Sequence, residues 1–326
     1  MSLLNALKFV QGSVAKNDLV GALSHFRISE GRVRGYNGML ALCAPIALDL
    51  DCTPKAEPLI KAISNCHDTV SLTMTPAGRL RIASGKFKVF IECLDGETPH
   101  VEPEGNWLEF DGADMLAAMR QLAPFVGTDA ARPWTNGILL KDECAFATNN
   151  VCLVQRWLGS PFPIEMNIPL LAVKELIRVG EAPCKAQATQ NSITFHYPDG
   201  KWLRTQLLSC QWPDLGRILD REPNAPAVPL PETFFDVMEI LKPFRDKLQR
   251  VYFSLNTMST HATLDEGASH EVSDFPYTGV YQADMLNLLK HVLYKTGTID
   301  FSAYPAPCLF YGDKIRGAIV GMKETC

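Results

Sequence analysis

Leu171-Ala172-Val173-Lys174-Glu175-Leu176-Ile177, followed by Ser192-Ile193-Thr194-Phe195-His196, Tyr197-Pro198-Asp199-Gly200 and Trp202-Leu203-Arg204-Thr205-Gln206-Leu207-Leu208, forms one phrase of helix, strand, turn and strand. The Pro-Asp-Gly turn between two strand-like runs is a strong hairpin signal. The phrase is not unique. Comparable helix-like openings stand at residues 3–10 (LLNALKFV), 57–63 (EPLIKAI), 113–119 (ADMLAAM), 234–241 (FFDVMEIL) and 283–289 (ADMLNLL). Their starts lie roughly 50 to 65 residues apart, the mark of one supersecondary unit used repeatedly.

The strand-like part of the phrase recurs as well. In the second unit, residues 69–73 (TVSLT), 79–83 (RLRIA) and 87–94 (FKVFIECL) largely alternate polar with apolar, which predicts strands with one buried face. The sixth unit repeats this at 297–301, 308–311 and 315–320, with a Gly312-Asp313 turn. A small antiparallel sheet buries only one face by itself, so the units are expected to pair, helices packed together against sheets. Six units then give an α+β chain of three domains, each with two helices. Pro-rich, charged stretches at 95–106 (DGETPHVEPEGN) and 220–229 (DREPNAPAVP) supply the connections and place the domains at 1–106, 107–222 and 223–326.

Composition narrows the function classes. The 326 residues are 47% hydrophobic and 21% charged, ordinary for a globular protein with a sizeable core. No apolar run approaches the ~20 residues that span a bilayer, and no basic, apolar and small-residue leader opens the chain, so an unprocessed cytoplasmic protein without membrane association is expected. The ten cysteines are scattered without a CxxC pair or a Cys/His cluster, which predicts free thiols in a reducing compartment and no metal. GxxxxGK[ST], HExxH and GxSxG are absent, and the seven histidines are dispersed, so nothing points to catalysis or to a cofactor. The net charge of −5 leaves room for one basic face, because distribution rather than total decides nucleic-acid binding.

Further runs carry a resemblance. Asn136-Gly137-Ile138-Leu139-Leu140, Phe146-Ala147-Thr148-Asn149-Asn150, Ile168-Pro169 ahead of Ala172-Val173-Lys174-Glu175-Leu176, and Gln211-Trp212-Pro213-Asp214 with Arg217-Ile218 occur in that order. Together they resemble the middle domain of the bacterial DNA polymerase III beta subunit family, the sliding clamps. The likeness extends to Leu23-Ser24-His25-Phe26-Arg27-Ile28 and to Ala318-Ile319-Val320-Gly321-Met322-Lys323, and so to nearly the whole chain. It implies three tandem clamp-type domains, a DNA clamp fold that closes into a ring as a homodimer. It also implies a non-catalytic processivity factor that encircles double-stranded DNA without reading sequence and tethers DNA polymerase and a clamp loader. The chain departs from the family pattern at Asn150-Val151-Cys152 and at Pro133, which points to a divergent or phage-encoded version.

Each implied site has named residues. A DNA channel needs diffuse positive charge that meets phosphates, and Lys8, Lys61, Arg120, Lys174, Arg178, Lys242, Arg245, Lys290 and Lys295 lie on or beside the helices. Cations at helix C-termini also complement the helix dipole, so both readings stand for each residue. The loop 129–135 (DAARPWT) offers Arg132 and Trp134, either to DNA or, for the tryptophan, to packing beneath the loop; Lys16 in the loop 13–18 is a second basic loop position. The family's partner-peptide pocket maps onto Thr148, Leu153, Pro213, Val320 and Met322, with Thr135, Arg217 and Ile218 nearby; a plain core role for Leu153, Ile218 and Val320 is the alternative. Val89 and Ile91 of domain 1 match the family's ring interface with Ile240 and Leu241 of domain 3, and these four also suit a buried stripe. A clamp-fold binding module or decoy for replication proteins, without ring function, is the rival reading.

Overall fold

The structure is a computed structural model that describes residues 2–15, 20–96, 98–99, 101–293 and 296–323. Eight α-helices occur among the described residues: α1 (Leu3–Val10), α2 (Ala56–Ser64), α3 (Gly112–Leu122), α4 (Leu170–Val179), α5 (Gly216–Leu219), α6 (Phe234–Leu241), α7 (Ala283–Leu288) and α8 (Lys290–Leu293). The predicted helices at 3–10 and 234–241 match α1 and α6 to the residue, and the other four openings lie in α2, α3, α4 and the α7–α8 pair. Side chains set the starts: Ser2 Oγ accepts from the Asn5 amide at 3.3 Å, and Asp111 Oδ1 accepts from Ala113 and Asp114 at 2.9 and 3.0 Å.

Four antiparallel sheets carry the strands. By contacts the chain divides into two compact units, Met1–Leu116 with Lys174–Leu207, and Ala117–Val173 with Leu208–Cys326. In the first unit a seven-stranded sheet runs Arg27–Ser29, Arg32–Tyr36, Leu40–Pro45, Trp202–Gln206, Ser192–His196, Lys185–Ala188 and Asn106–Leu108 in spatial order. Its hairpin closes as the sequence predicts: the Gly200 amide donates to Tyr197 at 3.1 Å, with Gly200 at φ +82°. The strand Leu40–Pro45 is buried along nearly its whole length because α1 covers it with Ala6, Leu7, Phe9 and Val10. A separate three-stranded sheet, Val70–Met74, Leu80–Ser84 and Phe87–Ile91, realises the predicted alternating runs.

The second unit has an eight-stranded sheet in the order Met166–Pro169, Gly137–Lys141, Cys144–Thr148, Cys152–Trp157, Ile315–Ile319, Cys308–Gly312, Thr298–Ile299 and Val228–Pro229. A four-stranded sheet encloses an aromatic core in which Phe253 lies 4.8 Å from Phe275 and 5.3 Å from Phe301 between ring centroids. The seven-stranded sheet therefore combines strands from either side of residue 106, and the eight-stranded sheet combines strands from either side of residue 222. Pairing of this kind leaves fewer sheet edges open.

The stretch 95–106, expected as a connection, is partly a strap. Val101 packs against the cluster of Ala41, Cys43 and Trp202, and Glu102 accepts from Arg34 Nε at 2.9 Å. The nine described cysteines are all unpaired, and no metal-ligating cluster occurs among the described residues. Burial alone pushes the Cys152 thiol up to about 12, so it is an inert core group. No described helix is long and apolar enough to cross a membrane.

Candidate functional site

The helix cations divide by what their charge is used for. In the first unit, Lys8 on α1 is exposed, and Lys174 and Arg178 stand at i, i+4 on α4. Arg178 is heavily committed. Its Nε and Nη2 donate to the Glu175 carboxylate at 2.8 and 2.5 Å, while Nη1 and Nη2 reach the Lys8 and Phe9 carbonyls at 3.1 and 2.7 Å. Arg178 thus caps the C-terminus of α1, where carbonyls lack helical partners. Lys61 extends from α2, 71% exposed, 2.6 Å from Glu57. That lysine holds the Glu57 carboxyl below its ordinary value.

In the second unit, Arg120 is exposed at the end of α3. Lys242 and Lys290 flank one carboxylate, Glu239, at 3.4 and 3.8 Å, and Lys290 also lies over the Phe235 ring at 5.2 Å. Arg245 folds back to donate to the Met238 carbonyl, and its burial lowers its affinity for the proton. Its role there is a cap on α6. Arg132 is 54% exposed and 3.8 Å from Asp129. Trp134 packs: its ring meets Trp212 edge-on at 5.3 Å, and its carbonyl accepts from Asn167 Nδ2 at 2.9 Å. Lys16 and Lys295 lie outside the described residues.

The expected peptide pocket can be built from strand register. Thr148 stands opposite Leu153, Leu153 opposite Ala318 and Ala318 opposite Leu309, so four strands present these side chains on one face. The loop Gln211-Trp212-Pro213-Asp214 then brings α5 over them. Asp214 Oδ1 accepts from the Gly216 amide at 3.2 Å, and Leu215, Ile218 and Leu219, at helical spacing, close on Leu153, Leu309 and Ala318. Beside this cluster lies a groove of about 380 Å³ floored by Leu139, Phe146, Gln155 and Arg316 and walled by Trp212 and Pro213. Arg316 is oriented by Gln155 at 2.6 Å and Asp220 at 2.9 Å.

The other predicted pocket residues take distinct places. Thr148 is buried, donating to the Cys152 carbonyl at 2.8 Å and accepting from the Asn150 amide at 3.1 Å. Asn150 has φ +72°, a conformation asparagine tolerates better than most residues. Thr135 is fully buried, and the Gly127 amide bonds both its carbonyl and that of Thr148, at 3.0 and 3.1 Å. Val320 is 39% exposed, hydrogen-bonded through its amide to Val151 at 3.0 Å. Met322, half-buried, is fastened by Val280 and by the Tyr304 hydroxyl. Arg217 is 88% exposed. Asn149, which the sequence does not mark as a pocket residue, accepts through Oδ1 from the Val151 and Cys152 amides at 3.1 and 2.7 Å and shapes the turn.

The four expected interface residues separate. Ile91 and Leu241 are core, Val89 is half-buried, and Ile240 is exposed. Neighbours add to the exposed apolar surface of Ile240: Phe87 and Phe90 on the edge strand, and Phe244 and Leu248 just past α6, the last two 62% and 57% exposed.

No protein-family model matches the chain, and no curated protein matches it in sequence. Its fold nevertheless matches solved bacterial sliding clamps along nearly all of its length. The DNA polymerase sliding clamp from Bacillus subtilis has a TM-score of 0.84 at 15% identity, covering 99% of this chain and 97% of that one. The sliding clamp from Caulobacter crescentus gives 0.84 at 18% identity, with 98% and 97% covered. The Helicobacter pylori beta clamp, solved bound to a DNA ligase peptide, gives 0.79 at 16% identity, with 98% of both chains covered. The fold is the α+β clamp fold, carried by a sequence far diverged from these relatives.

Proposed function

From the fold of the bacterial β sliding clamps, we propose that this chain is a DNA sliding clamp: a non-catalytic, cytoplasmic processivity factor that encircles duplex DNA and tethers a polymerase. The observation that carries the reading is the full-length match at a TM-score of 0.84 to DNA polymerase sliding clamps. Two copies, each with domains 1–106, 107–222 and 223–326, pair head to tail and close a ring. Topology then replaces affinity, because a closed ring holds its polymerase at the template without gripping any base.

Lys8, Lys61, Lys174, Arg120, Lys242 and Lys290 supply the charge that meets phosphates. Exposed ion pairs such as Lys61 with Glu57 contribute little, so these cations exchange a carboxylate for a phosphate at small cost. The ring joint sets Phe87 and Phe90 of one copy near Ile240, Phe244 and Leu248 of the other. The apolar face of Leu153, Ile218 and Val320 receives a linear peptide from polymerase or clamp loader, as the Helicobacter pylori clamp holds one from DNA ligase.

Light scattering tests the ring joint. The wild type should have the mass of two chains at micromolar concentration, and Ile240→Glu, placed on a residue 53% exposed, should have the mass of one. A wild-type monomer would remove the ring.

A further inference from the structure

We propose that the face of the seven-stranded sheet carrying Trp202 and His196 is a docking groove for an acidic linear peptide of a partner protein. The groove is open and measures about 950 Å³. Register fixes its floor: Arg34, Cys43, Trp202, His196 and Lys185 stand directly opposite one another across five adjacent strands. Trp107, on the edge strand, is 55% exposed, 4.8 Å from the His196 ring and capped by Lys185 Nζ at 4.2 Å.

The face already holds an acidic stretch of its own chain. Val101 sits on Trp202 and its neighbours, Glu102 pairs with Arg34 at 2.9 Å, and Arg204 donates both to the Glu104 carboxylate and to the Glu102 carbonyl. An extended segment bearing glutamates is therefore a ligand that this surface accommodates. Two cations remain for a second such segment. Arg32 and Lys185 both line the groove, are exposed, and meet no carboxylate within 4.0 Å among the described residues.

Their strands are four intervals apart in the sheet, and Arg32 lies two residues along its strand from Arg34, which shares a row with Lys185, so the two backbone positions are separated by about 20 Å, the reach of roughly six extended residues. A peptide with acidic residues near both ends and an apolar or aromatic residue between them fits: carboxylates at Arg32 and Lys185, the intervening side chain toward the His196 ring, on which Trp107 leans from the edge strand. A single-stranded nucleic acid fits less well. Glu30 and Glu102 also line the groove, and a chain with a charge at every residue cannot avoid them, whereas a peptide can.

The test uses the full chain and a synthetic labelled decapeptide with two glutamates at each end and a central phenylalanine, read by fluorescence anisotropy. The peptide should bind in a salt-sensitive manner and lose about tenfold or more when its glutamates become glutamines. Arg32→Glu with Lys185→Glu should cost about tenfold or more in affinity, with an unchanged far-UV spectrum. Arg32→Gln with Lys185→Gln serves as the milder pair if the reversed one misfolds. No binding at millimolar peptide, equal binding of the glutamine peptide, indifference to both double variants, or tighter binding of a ten-residue oligothymidylate would each overturn the proposal.

Discussion

Arg178→Ala separates a structural arginine from a DNA-facing one. The guanidinium makes two bonds to the Glu175 carboxylate and two to the Lys8 and Phe9 carbonyls, and the acidic partner is 8% exposed against 44% for the arginine. Truncation removes the cap on α1 and leaves a buried carboxylate without its cation. Breaking a fully buried pair costs about 3–5 kcal/mol, and an exposed pair about 0–1. With the arginine nearly half in solvent, discounting for screening gives about 2–3 kcal/mol. The chain has two compact units, so one global melting temperature is a poor readout, and the assay should be local.

Amide hydrogen exchange at the C-terminal end of α1 should accelerate by about 30- to 150-fold, the equivalent of that energy. Glu175→Gln combined with Arg178→Ala should recover about 1 kcal/mol, because the orphaned charge is gone. Acceleration below about threefold, or a double variant no better than the single, would show that Arg178 does not hold this helix end.

Three further outcomes follow from particular contacts. A Cβ on Gly12 would lie 1.7 Å from Glu175 Oε1, which Arg178 holds in place, so Gly12→Ala should destabilise the same helix end by about 1–3 kcal/mol, measured by the same exchange. Asp300 is buried, which alone would raise its pKa, but bonds from Ser302 and from the Ala225 and Asn224 amides win and hold it below the ordinary carboxylate value. Its stabilisation is complete above that value of 3.8 and is lost as the pH falls through the lower folded one; Asp300→Asn should therefore destabilise at neutral pH, and chemical denaturation should find the gap to wild type closing in acid. Lys8→Ala with Lys174→Ala should lower the magnitude of the log–log salt slope of DNA binding by about 1.8, at ~0.9 per phosphate contact, with α1 exchange unchanged.

Periodicity made the helices and hairpins readable, since one buried face per element is a local property. α1 and α6 begin and end where their apolar spacing does, and Ser192–His196 matches its predicted strand. What stayed hidden depends on distant partners. Nothing in a lysine-rich pattern distinguishes Lys174, which is exposed, from Arg178 and Arg245, which are spent on carbonyls. Trp134 was open between DNA and packing because Trp212, its neighbour in space, is far away in sequence. Of the expected interface pair, Ile240 and Leu241 are adjacent, but a helix places successive residues about 100° apart, so Ile240 faces outward and Leu241 is buried. The stretch 95–106 reads as a connection by its prolines and glutamates. Its strap role arises from Arg34 and Arg204, which no local rule links to it.

A ring holds DNA by topology, which is measured by retention on a nicked circular DNA before and after the circle is cut once by a restriction enzyme, followed by gel filtration. The protein should co-elute with the circle and be released when the circle becomes linear. Retention on the linear product, or failure to associate with the circle at all, would contradict the ring.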